Sequence, residues 1–398
     1  MRPRSACRLH VLKVPSLLAL VLAFAACADG ADPDPTVRVD TLGGIEHTVV
    51  EDHPERGDEG LEFLWRAPDE ATVFEGTEWS NPTRIAMSED HIAVLDAQAA
   101  RVHLFTPDGQ RNGSFGRSGE GPGELSNPTG LGIHGDSILV TSMMGTPALQ
   151  WFGLDGSYRG HAGGAGAGVI AAAHFLPGTG ILRQVLVMGG GGSGPSWEYV
   201  DLDDERHPVE LPGNHSMQPH VADGGDGCWR RGTAGPNLVE VDCSFPLVRL
   251  IDTRGSVVRE HRIDRAPQRT PEDRIEQAID GVTGSIRVSG GGEIPQAMLD
   301  QLMTQQEERL RQQYAWTPVI SMVTGSTSGS RIVLLEQIPE SLGGGPATLH
   351  VLDSDGRYLA RHRLDDRVRS IAASDTLLVV MVQDDEIGLR HLEAYRLP

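Results

Sequence analysis

Asn81-Pro-Thr-Arg-Ile-Ala-Met87 returns 46 residues later as Asn127-Pro-Thr-Gly-Leu-Gly-Ile133, and Asp90-His-Ile-Ala-Val-Leu95 returns at the same spacing as Asp136-Ser-Ile-Leu-Val-Thr141. A third element follows in each copy, Phe105-Thr-Pro-Asp-Gly109 and Phe152-Gly-Leu-Asp-Gly156. Weaker versions stand at Ile251-Asp-Thr-Arg-Gly255 and Leu352-Asp-Ser-Asp-Gly356. The last two lead into Val-Val-Arg-Glu-His-Arg-Ile-Asp264 and Tyr-Leu-Ala-Arg-His-Arg-Leu-Asp365, one strand written twice. Self-similarity at such a period means one supersecondary unit repeated, each copy burying its apolar face on its neighbours. The unit reads as four strands: an inner strand, a second, a third ending just before Asp-Gly, a tight turn, and an outer strand. Glycine in that turn supplies the positive φ that closes the hairpin.

Copies at about 81–126, 127–168, 169–214, 218–265, 319–366 and 367–398 make six blades, the last one short. The expected fold is therefore all-β, a six-bladed β-propeller of four-stranded antiparallel blades closed by an N-terminal strand. Gly44-Ile-Glu-His-Thr-Val-Val50 alternates like a strand and is expected to complete the last blade, because ring closure removes the sheet edges that invite aggregation. A hydrophobic content of 39% with 49 Gly and 25 Pro suits many short strands joined by turns. One stretch does not fit the blades. Thr270-Pro-Glu-Asp273 has the form of a helix start with Thr as cap, and a longer helix is expected from Pro295 to about Tyr314, with Leu299, Met303, Leu310 and Tyr314 on one stripe and Glu307 placed to pair with Arg311. This insertion, about 268–318, is expected to cover an end of the ring, to shape a pocket mouth, or only to pack on a blade edge.

Ahead of the repeats, Arg2, Arg4, Arg8 and Lys13 precede the apolar run from Val14 to Ala26. That is the layout of a secretory signal peptide, and a run of about thirteen residues falls short of the roughly twenty a spanning helix needs. Phe24-Ala25-Ala26-Cys27 resembles the lipobox of bacterial lipoproteins, in which lipid joins the Cys and cleavage falls just before it. Phe24 stands where Leu is usual, so ordinary cleavage leaving Cys27 a plain thiol is the alternative. The organisation expected is signal peptide 1–26, tether 27–42 and propeller 43–398. The protein would then be exported and held by its anchor, facing the periplasm or the cell surface.

Removal of residues 1–26 leaves no lysine and a balance of about −25, since 30 arginines face 55 acidic residues. Lysine Schiff-base chemistry is excluded, nucleic acid is disfavoured, and cationic or neutral partners are favoured. Cys228 and Cys243 flank a hairpin-like segment and are expected to form a disulfide, as an even pair in an exported protein usually does.

Residues 43–160, and above all Phe115-Gly-Arg-Ser-Gly-Glu-Gly-Pro-Gly-Glu-Leu-Ser-Asn-Pro128, resemble six-bladed propeller lipoproteins related to NHL-repeat and TolB-like propeller proteins, in which a Gly-rich G-x-G-P-G-E segment links one blade to the next. The resemblance implies the fold, export and often surface attachment, and supplies no activity.

The chemistry is sparse. There is no G-x-S-x-G elbow and no H-E-x-x-H, and Gly189–Gly194 lacks the Lys and helix of a phosphate loop. His215, His220, Asp223 and Asp226 lie close in sequence and could hold a divalent metal, though their spacing matches no established motif. No cofactor is required. Arg117 and Glu120 read as loop architecture, and His91, His103, His134 and His174 as packed or capping strand residues. Two functions stay open: a monomeric module binding a protein, peptide or glycan at the cell envelope, or a metal-dependent hydrolase or lyase, lactonase-like or amidating-lyase-like, with its site in the central channel.

Overall fold

The computed structural model describes residues 37–42, 45–51, 60–67, 79–142, 148–162, 168–176, 179–187, 196–201, 205–211, 229–244, 247–264, 268–283, 296–313 and most of 315–398. Six sheets follow one another along the chain, at 82–115, 128–162, 168–209, 229–264, 320–364 and 367–396, numbered here as blades 1 to 6. Five of the six begin within a residue of their repeat copies, and blade 4 begins at Trp229, whereas its copy runs from 218. In every blade the strands pair antiparallel in sequence order, and blade 6 takes its fourth strand from the N-terminal segment Glu62–Ala67.

Closure by an N-terminal strand is thus as expected, but the segment is not 44–50. Glu62–Ala67 pairs antiparallel with Arg390–Arg396, Leu392 facing Ala67 and Glu393 facing Arg66. What selects it is an anchor on the first blade. Leu64 and Trp65 pack into the core between blades 6 and 1, and Trp65 Nε1 donates to the Pro107 carbonyl at 2.8 Å. Ile45–Glu51 runs instead parallel to the outer strand of blade 4, from Glu260↔His47 to Asp264↔Glu51. Val37–Leu42 folds back on it as a hairpin, so a strand occupies part of the stretch read as tether.

The turn before each outer strand shows why the sequence repeats as it does. Gly109, Gly156, Gly255 and Gly356 all have φ between +78° and +84°, a conformation that side chains other than glycine's strain to adopt. Each also presses against the outer strand of the preceding blade. A Cβ would stand 2.7 Å from Trp65 at Gly109, 2.6 Å from Phe115 at Gly156, 2.3 Å from the Glu210 carbonyl at Gly255, and 2.4 Å from His261 at Gly356.

The family-like segment 116–125 is stitched down equally firmly. Leu125 is fully buried between blades 1 and 2, and its N–H donates to the Arg117 carbonyl at 2.8 Å. Buried Gln150 accepts from Gly123 N–H at 3.0 Å and donates to the Glu124 carbonyl at 2.6 Å. Arg117 pairs with Glu124 at 2.8 Å, and Glu124 also accepts from the Gly121 N–H at 3.0 Å, an architectural arrangement.

Apolar cores fill the spaces between blades. The one between blades 2 and 3 is the smallest among the described residues, with Leu139, Ala148, Leu149, Ile170 and Ile181 buried.

The insertion before blade 5 holds two helices, α1 (Glu272–Thr283) and α2 (Gln296–Gln313). Ile275, Ile279 and Leu310 pack between them, and Arg311 bridges Glu307 at 3.1 Å and Glu272. The Leu310 and Glu307–Arg311 expectations are met, and Tyr314 lies outside the described residues. Thr270 does not act as the expected cap, since its hydroxyl lies 3.2 Å from that of Thr317. The stem is zipped by Thr317 N–H to the Gln268 carbonyl, and Arg274 donates to the Leu342 carbonyl of blade 5.

Gly156→Ala is expected to combine the left-handed φ penalty with an overlap on Phe115, about 2–5 kcal/mol in all. Gly135→Ala, where φ is +54° and no atom lies within 4 Å, should lose only the conformational part, about 1–2 kcal/mol. Paired denaturant titrations check the difference.

Candidate functional site

One row of facing residues crosses every blade, and it shows where the blades differ. Its second-strand member is Val94, Val140, Leu334 or Val380 in blades 1, 2, 5 and 6, each buried in an interblade core. In blade 3 the same position is Arg183, and in blade 4 it is Glu240, 1% and 0% exposed. Buried ions survive only if they are paired and hydrogen-bonded. Blade 4 meets this with a ladder of alternating charge. Arg231, Glu240, Arg249 and Glu260 stand on successive strands, with Arg231 to Glu240 at 2.5 Å, Arg249 to Glu240 at 4.0 Å and Arg249 to Glu260 at 2.9 Å. Burial pushes the Glu240 carboxyl up while Arg231 pulls it back. Two indoles cover the cations, Arg231 lying 5.1 Å from the Trp197 ring and Arg249 5.0 Å from that of Trp229.

The first rung of that ladder stands in the wall of the central channel. All six inner strands line a space of about 260 Å³ there, with Arg84, His174, Arg231 and several Thr and Ser hydroxyls among backbone and small side chains. Among the described lining residues there is no carboxylate. Glu89 and Asp375, on turns at the ends of inner strands, are taken up by the Thr327 and Ser328 hydroxyls. Arg84 is exposed and, among the described residues, bonds only to the neighbouring Thr83 carbonyl at 3.0 Å. His174 stacks on Trp197 with ring centres 6.0 Å apart, and burial, reinforced by the Arg231 charge, holds its pKa down at about 4, so it stands in the channel as a neutral imidazole. The metal-centred alternative requires carboxylates and imidazoles converging in the channel, and the described residues supply one imidazole and two guanidiniums.

A second space of about 350 Å³ opens between blades 2 and 3, where the core is smallest. Trp151, Phe175, Leu149 and Ile181 give it apolar walls, and Arg183, His161 and Asp201 also line it. At its rim, Asp201, Glu205 and His207 bring possible metal-ligand atoms within 4.8 Å of one another, His207 Nε2 lying 3.2 Å from Asp201 Oδ2. Glu205 and His207 are exposed.

Of the residues singled out in the sequence, Cys27, Cys228, His215, His220, Asp223 and Asp226 lie outside the described residues. Cys243 is fully buried and disulfide-bonded. His103 packs on Trp79 and His134 on Phe175, as expected of strand histidines. Arg84, Arg183, Arg231 and Glu240 were not singled out. Their signal is the repeat itself, which aligns Arg183 and Glu240 with aliphatic residues in four other blades.

No family model and no curated protein matches the chain. Solved structures align with it at low identity. A protein of Bacteroides fragilis aligns over 88% of this chain and 100% of its own, at 11% identity and a TM-score of 0.48. Regucalcin, a calcium-binding protein of Agrobacterium tumefaciens, covers 84% and 95% at 12% and 0.42. Virginiamycin B lyase of Staphylococcus aureus covers 81% and 97% at 9% and 0.42.

His174 gives the fold a pH dependence. Its folded pKa of about 4 lies below the ordinary 6.5, so the unfolded chain binds the proton first. The resulting stability is complete above pH 6.5 and is lost as pH falls toward 4. Burial lowers His261 and His362 as well, adding in the same direction. Melting temperature should fall steadily between pH 6.5 and 5, and His174→Phe should flatten that slope, as pH-resolved thermal scans would show.

Proposed function

We propose that the protein is an exported, lipid-anchored binding propeller of the NHL-related kind that takes an anionic ligand into its channel. The supporting observation is the channel wall, where Arg84 and Arg231 stand without a carboxylate among the described lining residues of a chain with net charge −21. The acidic exterior favours cationic partners, and the channel reverses that preference locally. Low-dielectric walls around guanidiniums focus their field on whatever enters. Arg231 is held by Glu240 and Trp197, whereas Arg84 is free to turn toward a ligand, and Thr and Ser hydroxyls offer neutral donors beside both.

Arg84→Glu tests this reading without disturbing the core. Titration calorimetry with inorganic phosphate, citrate and a sulfated disaccharide should show at least one anion binding, weakened about tenfold or more by the substitution, a loss typical of a charged hydrogen bond. Equal affinities in the two proteins, or no binding by any of the three, would refute it.

A metal-assisted hydrolase or lyase is the second reading, favoured by the Asp201, Glu205 and His207 cluster. It requires one divalent ion per chain in elemental analysis, a melting temperature lowered by chelator, and loss of that response in His207→Ala.

A further inference from the structure

Arg183 is charged, buried, and only partly answered by the described residues. Its Nε donates to Glu198 Oε1 at 2.6 Å, but its Nη2 is sealed from bulk solvent with no acceptor among the described residues. A guanidinium does not shed its charge in a protein, so this donor cannot be silenced by deprotonation. In blades 1, 2, 5 and 6 the same position carries a plain aliphatic side chain that completes an interblade core. In blade 4 the corresponding charge, Glu240, is opposed on both flanks by arginines. Blade 3 instead has Ala173 on the inner flank, too short to reach across, and the space toward blade 2 stays open.

We infer that the cavity between blades 2 and 3 is a binding site, separate from the channel, for a small apolar or aromatic molecule that presents an acceptor oxygen to Arg183. The cavity, about 350 Å³, lies at the lower end of the size range of small-molecule sites. Trp151 and Phe175 offer flat apolar walls, Leu149 and Ile181 close the space on the core side, and Arg183 is the buried polar group that fixes orientation. This is the composition of a specific pocket, mostly apolar with a few polar groups, His161 and Asp201 beside Arg183. Nη2 is sealed as the side chain stands, so a carboxylate or a carbonyl oxygen satisfies it once the guanidinium turns toward the cavity, and the apolar body replaces the packing that the aliphatic row residue supplies in other blades.

Phenylacetate, phenylacetamide and ethylbenzene differ in the oxygen and little in size, so ligand-observed NMR with these three on the full chain tests the site. The two oxygen-bearing probes are expected to bind about ten times more tightly than ethylbenzene or better. In Arg183→Met combined with Glu198→Gln, which removes the buried pair together and so preserves packing, that preference should vanish while ethylbenzene binding persists. Stronger binding of the acid identifies a carboxylate ligand, and stronger binding of the amide a neutral carbonyl one. If the double variant fails to fold, Ile181→Phe, which fills the cavity from the same wall, should abolish binding of all three. Equal affinities for the three probes, a preference that survives the double variant, or no binding at millimolar concentration would overturn the inference. The channel substitution Arg84→Glu should leave these affinities unchanged, which separates this site from the channel.

Discussion

The contact on which the ring depends is a glycine turn pressed against the neighbouring blade. At Gly109, Gly156, Gly255 and Gly356 the backbone itself touches the outer strand before it, at distances that leave no room for a Cβ. Spacing between those blades is therefore set by main chain, and side-chain cores fill what remains. The same device closes the circle. Trp65, on the N-terminal strand that completes blade 6, gives Gly109 of blade 1 the surface that Phe115 gives Gly156, and its indole N–H ties down the Pro107 carbonyl in that turn. Closure therefore needs no special mechanism beyond the one already used between blades.

Within that frame, blades 3 and 4 break the rule the others keep. An aliphatic residue at the centre of the second strand costs nothing to bury, whereas an ion must recover its lost hydration through partners. The ladder from Arg231 to Glu260 sets each charge beside an opposite one across four strands, though Glu240 Oε2 lies 4.0 Å from Arg249, beyond hydrogen-bond distance. Its inner end lies at the channel, so the residues that solve a packing problem also place a cation there. Departures from local consistency gather where a protein binds or reacts, because nothing in folding alone selects for them.

What could be read in the sequence follows from how local each signal is. Blade boundaries, turn glycines and the α2 helix were legible because each is encoded within a few residues, by Asp-Gly, by strand alternation, or by the Glu307–Arg311 spacing. The closing strand was not. The alternation of 45–51 is the stronger local strand signal, whereas Glu62-Phe-Leu-Trp-Arg-Ala67 does not alternate, and what selects it is Trp65 reaching a turn more than forty residues away. Arg231, Glu240 and Arg183 were missed for the opposite reason. A single charge in a strand reads as an exposed position, and only the alignment of repeat copies with Val94, Val140, Leu334 and Val380 shows that the position faces a core.

The two candidate sites share that origin. Blade 3 meets blade 4 through Trp197, which carries Arg231 on its face and stacks on His174. It meets blade 2 through the thinnest core, beside Arg183. A blade that has given up its aliphatic centre loses packing toward blade 2 and gains, toward blade 4, an aromatic platform for a cation in the channel. An acidic exterior does not weaken either arginine at contact distance, since surface charges more than about 8–10 Å away are screened in physiological salt while groups in a low-dielectric wall are not. In the proposed readings, selectivity for an anionic or oxygen-bearing ligand rests on Arg231 and Arg183, held by their neighbours, and on Arg84, which can turn, while the net charge of the chain governs only how such a ligand approaches.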